Sequence, residues 1–226
     1  MFNLLMKEFI VQKKTVWFAL FYSVFVFAAF YNTTFRGSSY IMGSLAVAYL
    51  LLMNANAWDD KNKCEIVLNS LPIPRRLIVE AKYISVLVFM AFGLVLTGLA
   101  GGIVSQAAGM AGLEGEFRLI SITDVVAVFI SLVLLVSAYY PLYFRFGYNF
   151  ARKANMILFM LIFFGPGTVV GYLRAKEGPF LPEAGFAGTV QGASFEMIGA
   201  LAVAIVVIVA LASFLISVKI YNNREF

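Results

Sequence analysis

Histidine is absent from this chain and cysteine occurs once, at Cys64. A single thiol forms no internal disulfide. Without histidine there is neither a zinc site of cysteine and histidine ligands nor a mechanism that uses histidine as a base. Charge is the next shortage: only 13% of the 226 residues are charged and 62% are hydrophobic, against roughly 25% charged in a soluble domain. Water is not the main solvent of such a chain. No G-x-x-x-x-G-K-[ST] loop occurs, so nucleotide is not held by that device. The run GASF at 192–195 resembles the surroundings of a serine nucleophile, but its histidine partner does not exist here. The net charge of +5 is spread in short clusters between apolar runs, which fits a membrane-orientation signal and not a nucleic-acid stripe.

What the sequence does have is six apolar stretches, at 16–31, 40–57, 83–104, 125–144, 154–172 and 197–221. Each approaches or exceeds the roughly 17 to 25 residues that cross a bilayer core as a helix. The expected fold is all-α: one membrane domain over 1–226 with six transmembrane helices. Before the first stretch, residues 1–14 place Phe2, Leu5, Phe9 and Ile10 near one face and Lys7 and Gln12 toward others, as in a helix lying in the interface. Lys7, Lys13 and Lys14 precede a long apolar run without a small-residue cleavage pattern, so this end is expected to be retained.

The first stretch is rich in aromatics, with Trp17 and Tyr31 at its ends. Asn54 and Asn56 make the inner end of the second polar. Gly98/Gly102 and Thr97/Gly101 in the third have the small-xxx-small spacing of close helix packing. Gly165, Pro166 and Gly167 predict a break in the fifth. Residues 174–196 are too polar to span, yet contain Phe180, Leu181, Phe186 and Phe195; an extracellular, re-entrant-like segment is expected. No ionisable residue falls at mid-depth of any stretch, which disfavours an ion-driven carrier.

Orientation follows from the basic residues at alternate ends of six spans. One side receives Lys7, Lys13, Lys14, Lys61, Lys63, Arg75, Arg76, Lys82, Arg145, Arg152, Lys153, Lys219 and Arg224; the other receives Arg36, Arg118, Arg174 and Lys176. The split of 13 to 4 accounts for all 17 and places both termini in the cytoplasm.

The longest charged island, WDDKNKCEIVLNSLPIPRRLIVEAK at 58–82, lies on that richer side. Ile66, Val67, Leu68 and Leu71 recur in it at helical spacing, so it reads as an amphipathic helix, wet on one side and needing a partner on the other. Pro72 and Pro74 end that helix. Asp59 and Asp60 read as solvated loop charges, and Arg75, Arg76 and Lys82 as side chains at the mouth of the third span within reach of lipid phosphate.

The same stretch resembles the segment between the second and third helices of ABC-2 type exporter permeases. A run of the form E-x-x-L-x-S-L-P-[VI]-x-R-x-x-I-V-x-x-K-Y is matched by Glu65, Leu68, Ser70, Leu71, Pro72, Ile73, Arg75, Ile78, Val79, Lys82 and Tyr83. In size and texture the chain looks like the small permeases of bacterial peptide exporters, such as those for phenol-soluble modulins. The resemblance implies a multi-pass protein of a bacterial plasma membrane, working as a homodimer or related heterodimer with two separate ATPase subunits. This chain would bind no cofactor, and ATP and Mg would be held by the partner ATPase. The coupling loop, 58–74, would meet the ATPase through Asp59, Asp60, Lys63, Glu65, Leu68, Asn69, Ser70, Leu71 and Arg75. Phe21, Tyr22, Phe25, Asn54 and Asn56 are the expected pathway-lining residues, at a dimer interface suited to amphipathic peptides or hydrophobic compounds. Membrane lipid is an expected partner and nucleic acid is not. The alternative is a membrane anchor or regulator of a soluble partner that transports nothing.

Overall fold

Long apolar runs with few helix breakers can satisfy their backbone groups in a bilayer only as helices, and helices are what form. The computed structural model describes residues 2–29, 39–110, 120–160 and 195–224. In chain order these are α1 (Phe2–Ile10), α2 (Lys13–Ala29), α3 (Ser39–Lys61), α4 (Cys64–Ser70), α5 (Arg75–Met110) and α6 (Ile122–Phe146). They are followed by α7, helical over 148–160, and α8 (Phe195–Asn222). No strand occurs among the described residues.

Among the described residues, four helices are long and apolar enough to cross a membrane: Ser39–Lys61, Arg75–Ala107, Ile122–Phe146 and Gly199–Asn222. They contain or nearly contain the expected stretches at 40–57, 83–104, 125–144 and 197–221. A fifth is added if Leu4–Ile10 and Thr15–Val26, bent by 64° from one another, count as one broken span. The stretch at 154–172 is described only to residue 160, so the expected break at 165–167 and the segment 174–196 lie almost wholly outside the described residues.

The third expected stretch starts earlier than its hydropathy suggested. After Pro74 nothing interrupts helical geometry, so α5 begins at Arg75 and runs for 36 residues, about 54 Å at 1.5 Å per residue and well beyond a hydrocarbon core of about 30 Å. Arg76 and Glu80 pair along its first turns at 2.7 Å.

The core lies where α3, α5, α6 and α8 meet, around Leu51, Leu52, Phe89, Leu132, Leu135, Tyr139, Tyr140 and Tyr221. Close approach of α3 and α5 depends on missing side chains. A Cβ on Gly93 would lie 2.9 Å from the Ser44 carbonyl oxygen, and one on Gly101 would lie 2.6 Å from Tyr40 Oη. Between these two, Ser44 and Thr97 hydroxyls bond at 2.8 Å. Of the two small-residue pairs, Thr97/Gly101 is thus the one packed against α3, while Gly102 meets nothing within 4 Å. Farther along, Tyr83 bonds the hydroxyls of Ser213 (2.7 Å) and Ser217 (3.0 Å), and Ser213 donates to the Ser137 carbonyl at 2.7 Å. These bonds tie α5 and α6 to α8. A capping box starts α6: Thr123 N–H donates to Ser121 Oγ at 3.4 Å, and Ser121 N–H to Asp124 Oδ2 at 3.0 Å. Pro141 lies inside α6 without ending it; the end comes at Gly147, whose φ of 82° only glycine adopts freely.

Candidate functional site: the α3–α4–α5 elbow

Two helix breaks shape the elbow. The first is at Lys63, which holds φ 49° and ψ 40°, the left-handed region, between α3 and α4. The second is at Leu71, at φ −85° and ψ 149°; Pro72 imposes this extended geometry on the residue before it. Between them α4 is a two-turn helix.

Under the elbow lies a buried ion cluster. Lys82, only 6% exposed, donates from Nζ to Asn56 Oδ1 at 3.0 Å, lies 2.8 Å from Glu8 Oε1 and pairs closely with Asp59. The other Asp59 oxygen accepts from Lys7 Nζ at 2.7 Å. Two cations face two anions, so the formal charge cancels in a site that water scarcely reaches, the condition under which burying charge is tolerable. Neither Asp59 nor Lys82 is therefore the wet loop residue the sequence suggested. Each falls on a helix face turned inward, and α1 supplies the countercharges.

Further polar side chains fix the turn between α1 and α2 in place. Gln12 donates to the Leu51 carbonyl at 2.7 Å, and Asn54 donates to Gln12 Oε1 at 2.9 Å and Thr15 Oγ1 at 2.6 Å. Glu8 and Gln12 are buried while Met6 and Ile10 stay exposed. The polar edge of α1 thus faces protein and part of its apolar surface faces outward, the arrangement suited to a helix at a lipid boundary.

On α4 and its C-cap Leu71 the outward residues are mainly apolar, with Ser70 among them. Ile66 is 60% exposed, Val67 59% and Leu71 46%. Leu68 turns inward and packs on the core. Asn69 donates to Tyr221 Oη at 2.9 Å, and Glu65 lies 3.4 Å from Arg224 Nη1. Arg75 donates to the carbonyls of Asn222 (2.9 Å) and Arg224 (3.0 Å). Asp60, Lys63 and Ser70 remain exposed, Ser70 Oγ donating to the Val67 carbonyl at 2.8 Å. Burial pushes the Glu65 carboxyl above its usual range and the Arg224 charge pulls it part of the way back. Burial likewise raises the Cys64 thiol, so it is no activated thiolate. Beside α4 a half-open hollow of about 380 Å³ is lined by Asp60, Glu65, Tyr143, Gly147 and Arg224 among others.

The expected coupling residues are therefore brought together, in two groups. Asp60, Lys63, Ser70 and Leu71 are presented to solvent, whereas Asp59, Glu65, Leu68, Asn69 and Arg75 hold the elbow on α1, α8 and the core. Of the expected lining residues, Phe21 and Phe25 are exposed on α2, and Tyr22 packs on the core. Asn54 bonds Gln12, in the turn between α1 and α2, and Thr15 of α2, and Asn56 accepts from Lys82. Glu8, Lys7, Tyr221 and Arg224 were not anticipated at the elbow. The one signal for the cluster was unlike charge, Asp59 at the end of one apolar stretch and Lys82 at the start of the next.

A family model described as ABC-2 family transporter protein matches residues 3–222. No curated protein and no solved structure matches the chain.

Proposed function

Because the chain belongs to the ABC-2 transporter family, a family of transmembrane transport components that work with ABC ATPases, we propose that it is the six-span permease of an ATP-driven exporter in a bacterial plasma membrane. Two copies form the pathway, two separate ATPase subunits bind ATP and Mg, and α4 is the coupling helix they grip. The carrying observation is the apolar face of α4, where Ile66, Val67 and Leu71 stand out from an otherwise charged loop. Exposed apolar side chains on a short helix at the polar end of two spans are costly in water and gain by docking. No phosphate loop occurs in the chain, which agrees with a division of labour in which the partner carries hydrolysis.

In this proposal Trp17, Phe21 and Phe25, exposed at four-residue intervals on α2, face the second copy and the cargo, for which an amphipathic peptide is the fitting class. The experiment is purification of the tagged chain from its own host. A phosphate-loop ATPase should co-purify, and Val67→Asp combined with Leu71→Asp should abolish its recovery without lowering the amount of folded permease. Undiminished recovery with both aspartates would overturn the coupling role. Cargo-stimulated hydrolysis by the co-purified ATPase separates a permease from an anchor, which gives no stimulation.

A further inference from the structure

The end of α8 is fastened to the elbow, with Tyr221 buried there while Asn222 and Asn223 stay exposed. Its final turn lies against the elbow, and the connecting bonds come from side chains on both sides. Asn69 of α4 donates to Tyr221 Oη, Glu65 of α4 faces Arg224, and Arg75, at the first position of α5, reaches the carbonyls of Asn222 and Arg224. The Asn222 carbonyl belongs to the class that a helix C-terminus leaves without intrahelical partners, at the negative end of its dipole, and the Arg75 guanidinium satisfies both deficits there; the Arg224 carbonyl lies two residues past the helix. Arg224 also donates to the Phe144 carbonyl at 3.3 Å, and the buried Tyr221 ring meets the Phe144 ring edge-on at 5.1 Å. The same few residues therefore fasten α4, the start of α5 and the end of α6 to one turn of chain, 146 positions downstream of Arg75 and 80 downstream of Phe144.

The links of α4 to its sequence neighbours are of another kind. Toward α3 the connection turns at Lys63 in the left-handed region, and toward α5 it passes an extended Leu71 and two prolines. Neither continues the helix, so α4 is joined to α3 and α5 by bends.

We infer that the turn 221–224 is part of the coupling unit. When α4 is displaced it carries the end of α8 with it as one body, and α6 through Phe144, so that Glu65, Asn69, Arg75, Tyr221 and Arg224 are positioning residues for transport. This rests on the proposal that an ATPase moves α4. It adds that the stroke is delivered to α8 and not only to α3 and α5, which the loop joins.

The native Cys64, at the first position of α4 and the only cysteine, supplies a label site. Spin-label distances are measured from Cys64 to Leu215→Cys on α8 and, in a second protein, from Cys64 to Ile84→Cys on α5. Both are read in nanodiscs with the co-purified ATPase, without nucleotide and trapped with ATP and vanadate. The α4–α8 distance is expected to stay within its nucleotide-free distribution while the α4–α5 distance shifts. Arg224→Glu should lengthen and broaden the α4–α8 distribution, and Glu65→Arg with Arg224→Glu should restore it. Tyr221→Phe, which deletes one hydroxyl and keeps the ring, should broaden it in the same direction. An α4–α8 distance that moves on trapping as far as the α4–α5 distance overturns the inference, as does an Arg224→Glu distribution identical to that of the parent. If no ATPase co-purifies, the transport proposal falls by itself, and the Arg224→Glu comparison on the chain alone still decides whether the turn holds α4.

Discussion

Lys82 carries its charge into a site where two carboxylates are the main compensation, and its own position in the helix fixes where that charge goes. Replacing it with methionine keeps the volume and removes the cation, leaving Glu8 and Asp59 with Lys7 alone. A buried pair broken on one side costs about 3 to 5 kcal/mol. Lys82→Met should lower the thermal midpoint in detergent by a corresponding amount, and adding Glu8→Gln should recover part of the loss; a midpoint unchanged by the single substitution would contradict the buried cluster. Glu65 behaves in the opposite sense. Its folded-state carboxyl is raised by burial, so the folded chain holds that proton more tightly than the unfolded one. The contribution of Glu65 is then best below the ordinary glutamate range and declines as pH rises through the raised value. Glu65→Gln should remove that decline, with stability at neutral pH equal to or above the parent by no more than about 1 kcal/mol, because the group is only partly buried. Arg224→Ala should steepen the decline. Melting curves at several pH values between about 4 and 8 read both signs.

For the elements, the informative contrast is between two glycines of α5 that look alike in sequence. A Cβ on Gly93 would meet backbone, the Ser44 oxygen at 2.9 Å and the Ala48 nitrogen at 3.3 Å, while Gly102 has open space. Gly93→Ala should push α3 from α5 and cost about 1 to 3 kcal/mol. Gly102→Ala should be neutral or stabilising by up to about 1 kcal/mol through helix propensity. Equal melting points for the two variants would argue against the α3–α5 crossing. Spacing alone admitted both Thr97/Gly101 and Gly98/Gly102; which pair packs depends on the rotation of α5 about its own axis, and that is set by where α3 lies.

At the scale of the whole molecule the open property is its direction across the bilayer. With 13 of 17 basic residues assigned to the elbow's side, that side is expected in the cytoplasm. In a Cys64→Ser background, Leu71→Cys should react with an impermeant maleimide only after cells are opened, and Met110→Cys, at the opposite end of α5, should react in intact cells. Labelling of Leu71→Cys in intact cells would place the elbow beyond the reach of any cytosolic ATPase.

Hydropathy and punctuation in the chain determined the helical class, the position of four long apolar helices and a short helix closed by Pro72. These are local properties: a run of apolar residues has one way to satisfy its backbone in lipid, and proline acts on its immediate neighbours. Tertiary structure alone decided that Asp59 and Lys82 turn inward to meet α1, that Leu68 faces the core while Ile66 and Val67 face out, and that the last turn of α8 sits on α4. Pairing of charges across tens to well over a hundred residues depends on how helices rotate and cross, and no local pattern encodes that.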